Sequence, residues 1–341
     1  MTVCFIIPPH ILSEIQKNGS QEQKKWAEES IELSNKIREM RLAFNAWENT
    51  APIAPGFAKN RIIYTASNTT DLPGKEIGTE SKAPTDMAGK EAYEGTGATF
   101  DLYASIYQRN SIDNKGLSLI STVHYSQKYD NAFWDGSQMV YGDGDGELFG
   151  LFTKPIDVTG HELTHGVTQY SANLDYQDQS GALNESFSDV FGILVKQQHL
   201  AQTADVADWL IGEGIFTPKV HGKALRSMKA PGTAYDDPVL GKDPQPGDMA
   251  NFVHTTDDNG GVHINSGIPN HAFYLCSVGI GGNAWERAGR IWYDTLTKKL
   301  KVSSNFADCA QATILSASEL FGSGSKEQQE VEKAWKSVGI I

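Results

Sequence analysis

The amino-acid sequence predicts an α+β chain in which a β-rich half precedes a helical half. Two observations carry this. Residues 60 to about 155 are short runs rich in Ile, Tyr, Thr and Val, broken by Gly, Asp and Asn. That is the pattern of strands and turns. From about residue 156 the apolar residues recur at three- and four-residue steps over long stretches, the period of helices. With 341 residues, 39% of them apolar, the chain can build two compact domains with cores, or one large one.

Residues 1–50 stand apart from the rest. Ser20 followed by Gln23 reads as a capping box at a helix start. Leu33, Ile37, Met40, Phe44 and Trp47 then fall on one helix face, with Glu, Lys and Arg on the other. The segment is either a surface helix of the main domain or a detachable pro-segment docked by its apolar stripe. The run Asn-Thr-Ala-Pro-Ile-Ala-Pro-Gly at 49–56 breaks helices and marks an exposed, cleavable linker. Strands are predicted at Arg61–Thr65 and Ser118–Tyr125, and a turn cluster at Gly142–Gly146. Helices are predicted at Asp157–Tyr170, Ala182–His199, from His271 through Cys276, and at Ala284–Lys299, Phe306–Leu320 and Lys326–Val338. The domain boundaries are thus 1–50, 51–155 and 156–341.

The bulk numbers exclude several function classes. A formal net charge of -13 argues against nucleic acid, since phosphate binding needs clustered Lys and Arg. The three cysteines, Cys4, Cys276 and Cys309, form neither a disulfide framework nor a Cys-x-x-Cys motif. The start lacks a basic n-region, and prolines stop its apolar run. No stretch is long enough to span a membrane. A cytoplasmic protein, or one secreted by a non-Sec route, is expected.

The chemistry concentrates in three segments. In His161-Glu162-Leu163-Thr164-His165 a helix puts both histidines one turn apart on one face, the spacing that binds one metal ion, with Glu162 beside a metal-bound water. Two surface histidines on an ordinary helix are the plain alternative. A catalytic zinc wants a third protein ligand and an open fourth position. Glu185 and Asp189 share a helix face among Phe187, Val190, Phe191 and Ile193. Carboxylates there need a metal, a charge partner or hydrogen bonds. Glu185 as ligand and Asp189 as acceptor from a histidine N–H satisfy both. In the third segment, Asp257 to Gly267, His263 sits near an acid in a Gly-rich turn. It is either a plain loop residue or a donor oriented towards an oxyanion.

Together with Asn131-Ala-Phe-Trp-Asp-Gly, Met139-Val-Tyr-Gly-Asp-Gly-Asp-Gly and Arg226-Ser-Met, in this order, these segments resemble the thermolysin family of zinc metalloendopeptidases over roughly residues 60–341. The short start with Pro8-Pro9 resembles the propeptide of the protealysin-like subgroup. The resemblance implies a two-lobed fold, β-rich then helical, with one zinc in the cleft and a short helical propeptide in front. It implies His161, His165 and Glu185 as zinc ligands and Glu162 as general base. His263 and Tyr176 would stabilise the oxyanion, with Asp258 orienting His263. Asn131 and the Ala132 carbonyl would hold the substrate backbone, and Arg226 a peptide carbonyl. Phe149, Val158 and Leu225 would wall an apolar S1′ pocket, so that cleavage falls before bulky apolar residues. Lys196 departs from the family's double calcium site, of which Asp157, Asp208 and Glu213 resemble other parts. A lysine ammonium argues against two calcium ions and leaves one Ca2+ open. The expected form is a monomer acting on peptides or proteins, inhibited by its own propeptide, with no nucleic-acid or membrane partner.

Near the metal, Pro8 and Pro9 are expected in the substrate channel, since proline cannot make the backbone pairing of a substrate. Cys4 is either a small apolar residue or a thiolate in the open zinc position. Three rival functions fit less well. A zinc aminopeptidase would carry a Gly-x-Met-Glu-Asn segment, which does not occur. A non-catalytic binding protein would predict loss of Glu162 or His263. A purely structural protein leaves the pair at 185 and 189 without a reason.

Overall fold

A computed structural model describes residues 3–43 and 56–341. The N-terminal segment forms helices α1 (Pro9–Asn18) and α2 (Gln21–Ala43). Proline suits the first turn of α1, where its missing N–H has no helical partner to lose. The capping box at the head of α2 is present: Gln23 N donates to Ser20 Oγ at 3.2 Å and Ser20 N to Gln23 Oε1 at 2.8 Å. Ile37 is buried and Leu33 packs beside it, against a cluster holding Tyr125, Tyr129 and Phe133. The predicted stripe at Met40, Phe44 and Trp47 lies outside the described side chains, as does the run 49–56 except for Gly56.

The next lobe is built on a five-stranded sheet, order β2-β1-β3-β5-β4, from β1 (Arg61–Thr65), β2 (Lys75–Thr79), β3 (Leu119–Val123), β4 (Ala132–Trp134) and β5 (Met139–Tyr141). β1, β3 and β5 run parallel, while β2 and β4 are antiparallel edges. β4 is the edge that borders the cleft. The predicted strands 61–65 and 118–125 correspond to β1 and β3. The lobe also holds α3 (Met87–Asp101) and a following π turn, Leu102–Ile106, for which the sequence reading has no helix. The cause is local: Gly89, Gly95 and Gly97 lower helix propensity. Tertiary contact requires one of them, since a Cβ on Gly95 would lie 2.8 Å from Thr159 Oγ1.

From α4 (Ile156–Gln169) onward the chain is mainly helical: α5 (Asp178–His199), α6 (Asp258–Asn265), α7 (Gly267–Ile280), α8 (Ala288–Lys298), α9 (Phe306–Phe321) and α10 (Lys326–Ser337). Each predicted C-terminal helix appears, with ends shifted by a few residues. α4 and α5 are buried almost along their whole length. They cross where Gly160 faces Gly192: a Cβ on Gly160 would lie 3.0 Å from Gly192 Cα, and one on Gly192 only 2.7 Å from Asp157 O. This close approach brings the next turns of both helices, with their histidines and carboxylates, within reach of each other. No helix among the described residues is long and apolar enough to cross a membrane.

The crossing makes Gly192→Ala informative. In a free helix the change would stabilise by up to about 1 kcal/mol. Here the methyl meets backbone that cannot turn away, and overpacking of this kind costs about 1–3 kcal/mol. Net destabilisation of about 1–2 kcal/mol is expected, read as a lowered midpoint in thermal or urea unfolding. An unchanged or raised midpoint would show that the helices can move apart freely.

Candidate active site and metal centre

α4 presents His161, Glu162 and His165 inward, and α5 presents Asn184, Glu185, Ser188 and Asp189 to meet them. All are buried. His161 Nδ1 lies 2.8 Å from Asp189 Oδ1. Arg226 approaches the same carboxylate with Nε and a terminal nitrogen at 2.9 and 2.8 Å. Burial alone would raise the Asp189 carboxyl, but the Arg226 charge and the hydrogen bonds hold it well below the usual carboxylate range. An ionised carboxylate only accepts, so Nδ1 of His161 carries the proton. His165 Nδ1 faces Asn184 Oδ1 at 2.9 Å and Ser188 Oγ at 3.0 Å, which assigns the same tautomer. Burial lowers the His165 pKa to about 4, so the ring is neutral at neutrality.

The two Nε2 atoms face each other across 3.0 Å. Each is 3.5 Å from an oxygen of Glu185. Two ring nitrogens and a carboxylate that converge this closely are the donor set of a shared cation. Zinc bonds of about 2.1 Å set ligand atoms roughly 3.4 Å apart in a tetrahedron. The three residues fit such an ion in both chemistry and spacing. Glu185 Oε2 and Glu162 Oε1 are buried with no hydrogen-bond partner among the described residues, as expected of atoms aimed at a metal and its water. Glu162 Oε2 accepts from Trp134 N at 3.0 Å. Burial, and then the charge of Glu185, push the Glu162 carboxyl well up, a cost that a cation between them would remove.

Across the cleft, His263 Nδ1 lies 2.7 Å from Asp258 Oδ1, and the His263 backbone N–H donates to Asp258 Oδ2 at 2.9 Å. The chain makes this grip by running Asp258, Asn259, Gly260 and Gly261 at positive φ. Gly260 has no alternative, since a Cβ there would lie 2.1 Å from Asp178 Oδ1. His263 Nε2 is 3.2 Å from the Tyr176 hydroxyl, which also donates to Glu185 Oε1.

The N-terminal segment fills the cleft. Phe5 bridges antiparallel to Phe133 on β4. Ile6 N donates to Ala132 O at 3.2 Å and Ile7 N to Asn131 Oδ1 at 3.0 Å. The Phe5 carbonyl accepts from His263 Nε2 at 3.1 Å, and the Ile6 carbonyl from Arg226 at 3.3 Å. Ile6 and Ile7 join the apolar cluster that contains Phe149, Val158 and Leu225. Cys4 is buried against the same site; burial and then the charges of Glu185 and Glu162 push its thiol well up. Pro8 caps and Pro9 opens α1, directly after these residues. The contacts with the site residues come from positions 4–7. Sequence reasoning missed this bridged segment, and it missed Asn184, Ser188 and the Trp134 amide. The run Val3–Ile7, apolar and just ahead of two prolines, is the signal for a buried edge strand.

Known proteins resemble this chain in sequence and fold. The family model described as "Thermolysin metallopeptidase, catalytic domain" matches residues 33–169, and "Thermolysin metallopeptidase, alpha-helical domain" matches 172–340. The chain is 48% identical over 340 residues to an "Extracellular metalloprotease" of Pectobacterium carotovorum subsp. carotovorum, covering 99% of this chain and 96% of that one. It is 46% identical to "Protease PrtS" of a Photorhabdus strain, covering 98% and 91%. Among solved structures, the precursor of protealysin, a metalloproteinase from Serratia proteamaculans, superposes with a TM-score of 0.91 at 50% identity over 99% of this chain and all of that one.

The acidic cluster at the far end of α5 surrounds Lys196. Its ammonium lies 2.8 Å from Asp208 Oδ2 and 3.0 Å from Glu213 Oε2. Asp157 is buried, and its Oδ2 accepts from Gly212 N at 2.6 Å. A fixed internal cation thus sits among the acids proposed for calcium. Removing calcium with EGTA should leave the thermal midpoint of the wild type unchanged. Lys196→Ala should cost about 2 kcal/mol, below the 3–5 of a fully enclosed pair because Asp208 and Glu213 reach solvent. Lys196→Glu should make the midpoint rise with added calcium. A wild type that loses stability in EGTA would restore a calcium ion to this cluster.

Proposed function

This chain belongs to the thermolysin family of metallopeptidases, and from that membership we propose the division of labour in its site. The protein is a metalloendopeptidase, a hydrolase of peptide bonds. In our reading His161, His165 and Glu185 hold one zinc ion. Once bound, zinc polarises the scissile carbonyl and supplies a water of pKa about 7.

The remaining work belongs to the chain itself. Glu162, its Oε2 fixed by the Trp134 amide, takes the water's proton on Oε1 and passes it to the leaving nitrogen. Tyr176 and His263 donate to the oxygen that becomes negative, and Asp258 keeps His263 aimed. Asp189 orients His161 from behind the metal set. Asn131 and the Ala132 carbonyl pair with the substrate backbone as an added strand on β4, while Arg226 receives a peptide carbonyl. Phe149, Val158 and Leu225 form the pocket that favours a bulky apolar residue on the amine side of the cut bond.

The observation that carries this reading is the path of Phe5 to Ile7. Their backbone groups already engage Ala132, Asn131, His263 and Arg226, the partners a bound peptide would need. Residues 1–50 therefore act as an inhibitory propeptide, and activation consists of its removal. The lobes at 51–155 and 156–341 form the catalytic unit. The Pectobacterium relative is called extracellular, and export of this chain is part of the proposal.

A time course of purified wild type beside Glu162→Gln, with zinc analysis and N-terminal sequencing, tests it. The wild type should trim itself near residues 47–57 and then cleave peptides before Leu or Phe. The variant should bind one zinc, stay whole and lose at least about 10³-fold in kcat/KM. If both proteins hold one zinc yet stay intact and silent, even after treatment with a separately matured protease, the site is structural and the mechanism fails.

A further inference from the structure

Among the described residues, one group of metal-ligating type joins the propeptide to the catalytic lobes. The Sγ of Cys4 and ligand atoms of His165 and Glu185 all lie within 4.8 Å of one another, and all three residues are buried. The other two cysteines sit inside α7 and α9, in the core of the helical lobe.

The neighbours of Cys4 fix where its side chain points. Val3 and Phe5 pack into the cluster with Tyr125, Tyr129 and Phe133, and the Arg38 guanidinium lies 4.5 Å over the Phe5 ring. The intervening Cys4 faces the other way, towards Glu185 and the Tyr176 hydroxyl, which hydrogen-bonds it. The Phe5 carbonyl is held by His263 and the Ile6 amide by Ala132. The thiol is thus delivered by a backbone anchored on its C-terminal side.

We propose that Cys4 Sγ is the fourth zinc ligand of the precursor, standing where the active enzyme keeps its water. The proposal rests on the zinc site proposed above. A catalytic zinc has three protein ligands and an open position, whereas a closed four-ligand site that includes cysteine is the structural kind. Cys4 converts the first into the second. The thiol gives up its proton to solvent as the Zn–S bond forms, and no redox partner is needed. It would also protect the segment that engages the substrate-binding groups from hydrolysis at Phe5, since no water is left on the metal. Withdrawal of residues 3–7 removes the ligand and opens the position in one event.

The test uses the full-length precursor carrying Glu162→Gln, which cannot process itself, loaded with cobalt(II) in place of zinc. One cobalt per chain with a thiolate-to-cobalt absorption band, lost in Cys4→Ser and Cys4→Ala while one cobalt is retained, is the expected result. A chelator should also strip zinc from the Cys4→Ser protein at least about tenfold faster. The spectrum of the Glu162→Gln precursor with Cys4 intact decides the matter even if a Cys4 variant misfolds. One cobalt per chain without a thiolate band would overturn the Cys4 assignment and leave the three-ligand site standing. Failure to bind cobalt at all would overturn both.

Discussion

The Asp189 carboxylate is fully buried and accepts four hydrogen bonds: one from His161, two from Arg226 and one from Asn270 on α7. A carboxylate alone in this interior would cost several kcal/mol, and an ion pair offsets that only when the remaining lone pairs are also satisfied. Here they are. The charge so stabilised dictates the His161 tautomer and therefore turns Nε2 towards His165 and Glu185. The same contact holds the Arg226 guanidinium rigid, with its remaining nitrogen on the Ile6 carbonyl. One side chain thereby couples α4, α5 and the grip on the N-terminal segment.

Much of this was legible wherever helix geometry alone fixes distance. His161 and His165, or Glu185 and Asp189, meet because residues four apart share a face. Asp258 and His263 were legible for a related reason, being joined by one short turn. What depends on how two helices cross was hidden. Asn184 and Ser188 reach His165 only because Gly160 and Gly192 let α4 and α5 touch, and no periodicity records a crossing. The helix α3 was hidden by its glycines, of which Gly95 makes room for Thr159. The propeptide strand was hidden because its partners lie more than 120 residues away. The two prolines drew attention to this region without showing that Phe5 to Ile7 make the backbone hydrogen bonds. Individual roles, such as base, oxyanion donor or pocket wall, came from the family resemblance, which residue spacing alone does not supply.

The propeptide meets the catalytic lobes at several places besides the cleft. Ser34 shares a hydrogen bond with the Tyr129 hydroxyl, Ser30 Oγ accepts from the Asp130 amide, and His10 pairs with Tyr235. Each contact is small. Tethering multiplies them, because a segment held on a short chain sees its site at an effective concentration in the millimolar range. Cutting the tether turns the same contacts into a bimolecular equilibrium that dilution weakens. A single scission can thus change occupancy of the cleft without altering any contact within it.

The bridge between Phe5 and Phe133 has a consequence for the life of the protein before it acts. β4 is the last strand of its sheet, and an uncovered edge is a template on which a strand from any other chain can add. In the precursor proposed above, the groove meant for a substrate's backbone would, if bare, invite self-association in a crowded population. Phe5 covers that edge at its bridge to Phe133. On that proposal, what acts as a brake on chemistry is equally a solubility device for as long as the segment stays attached.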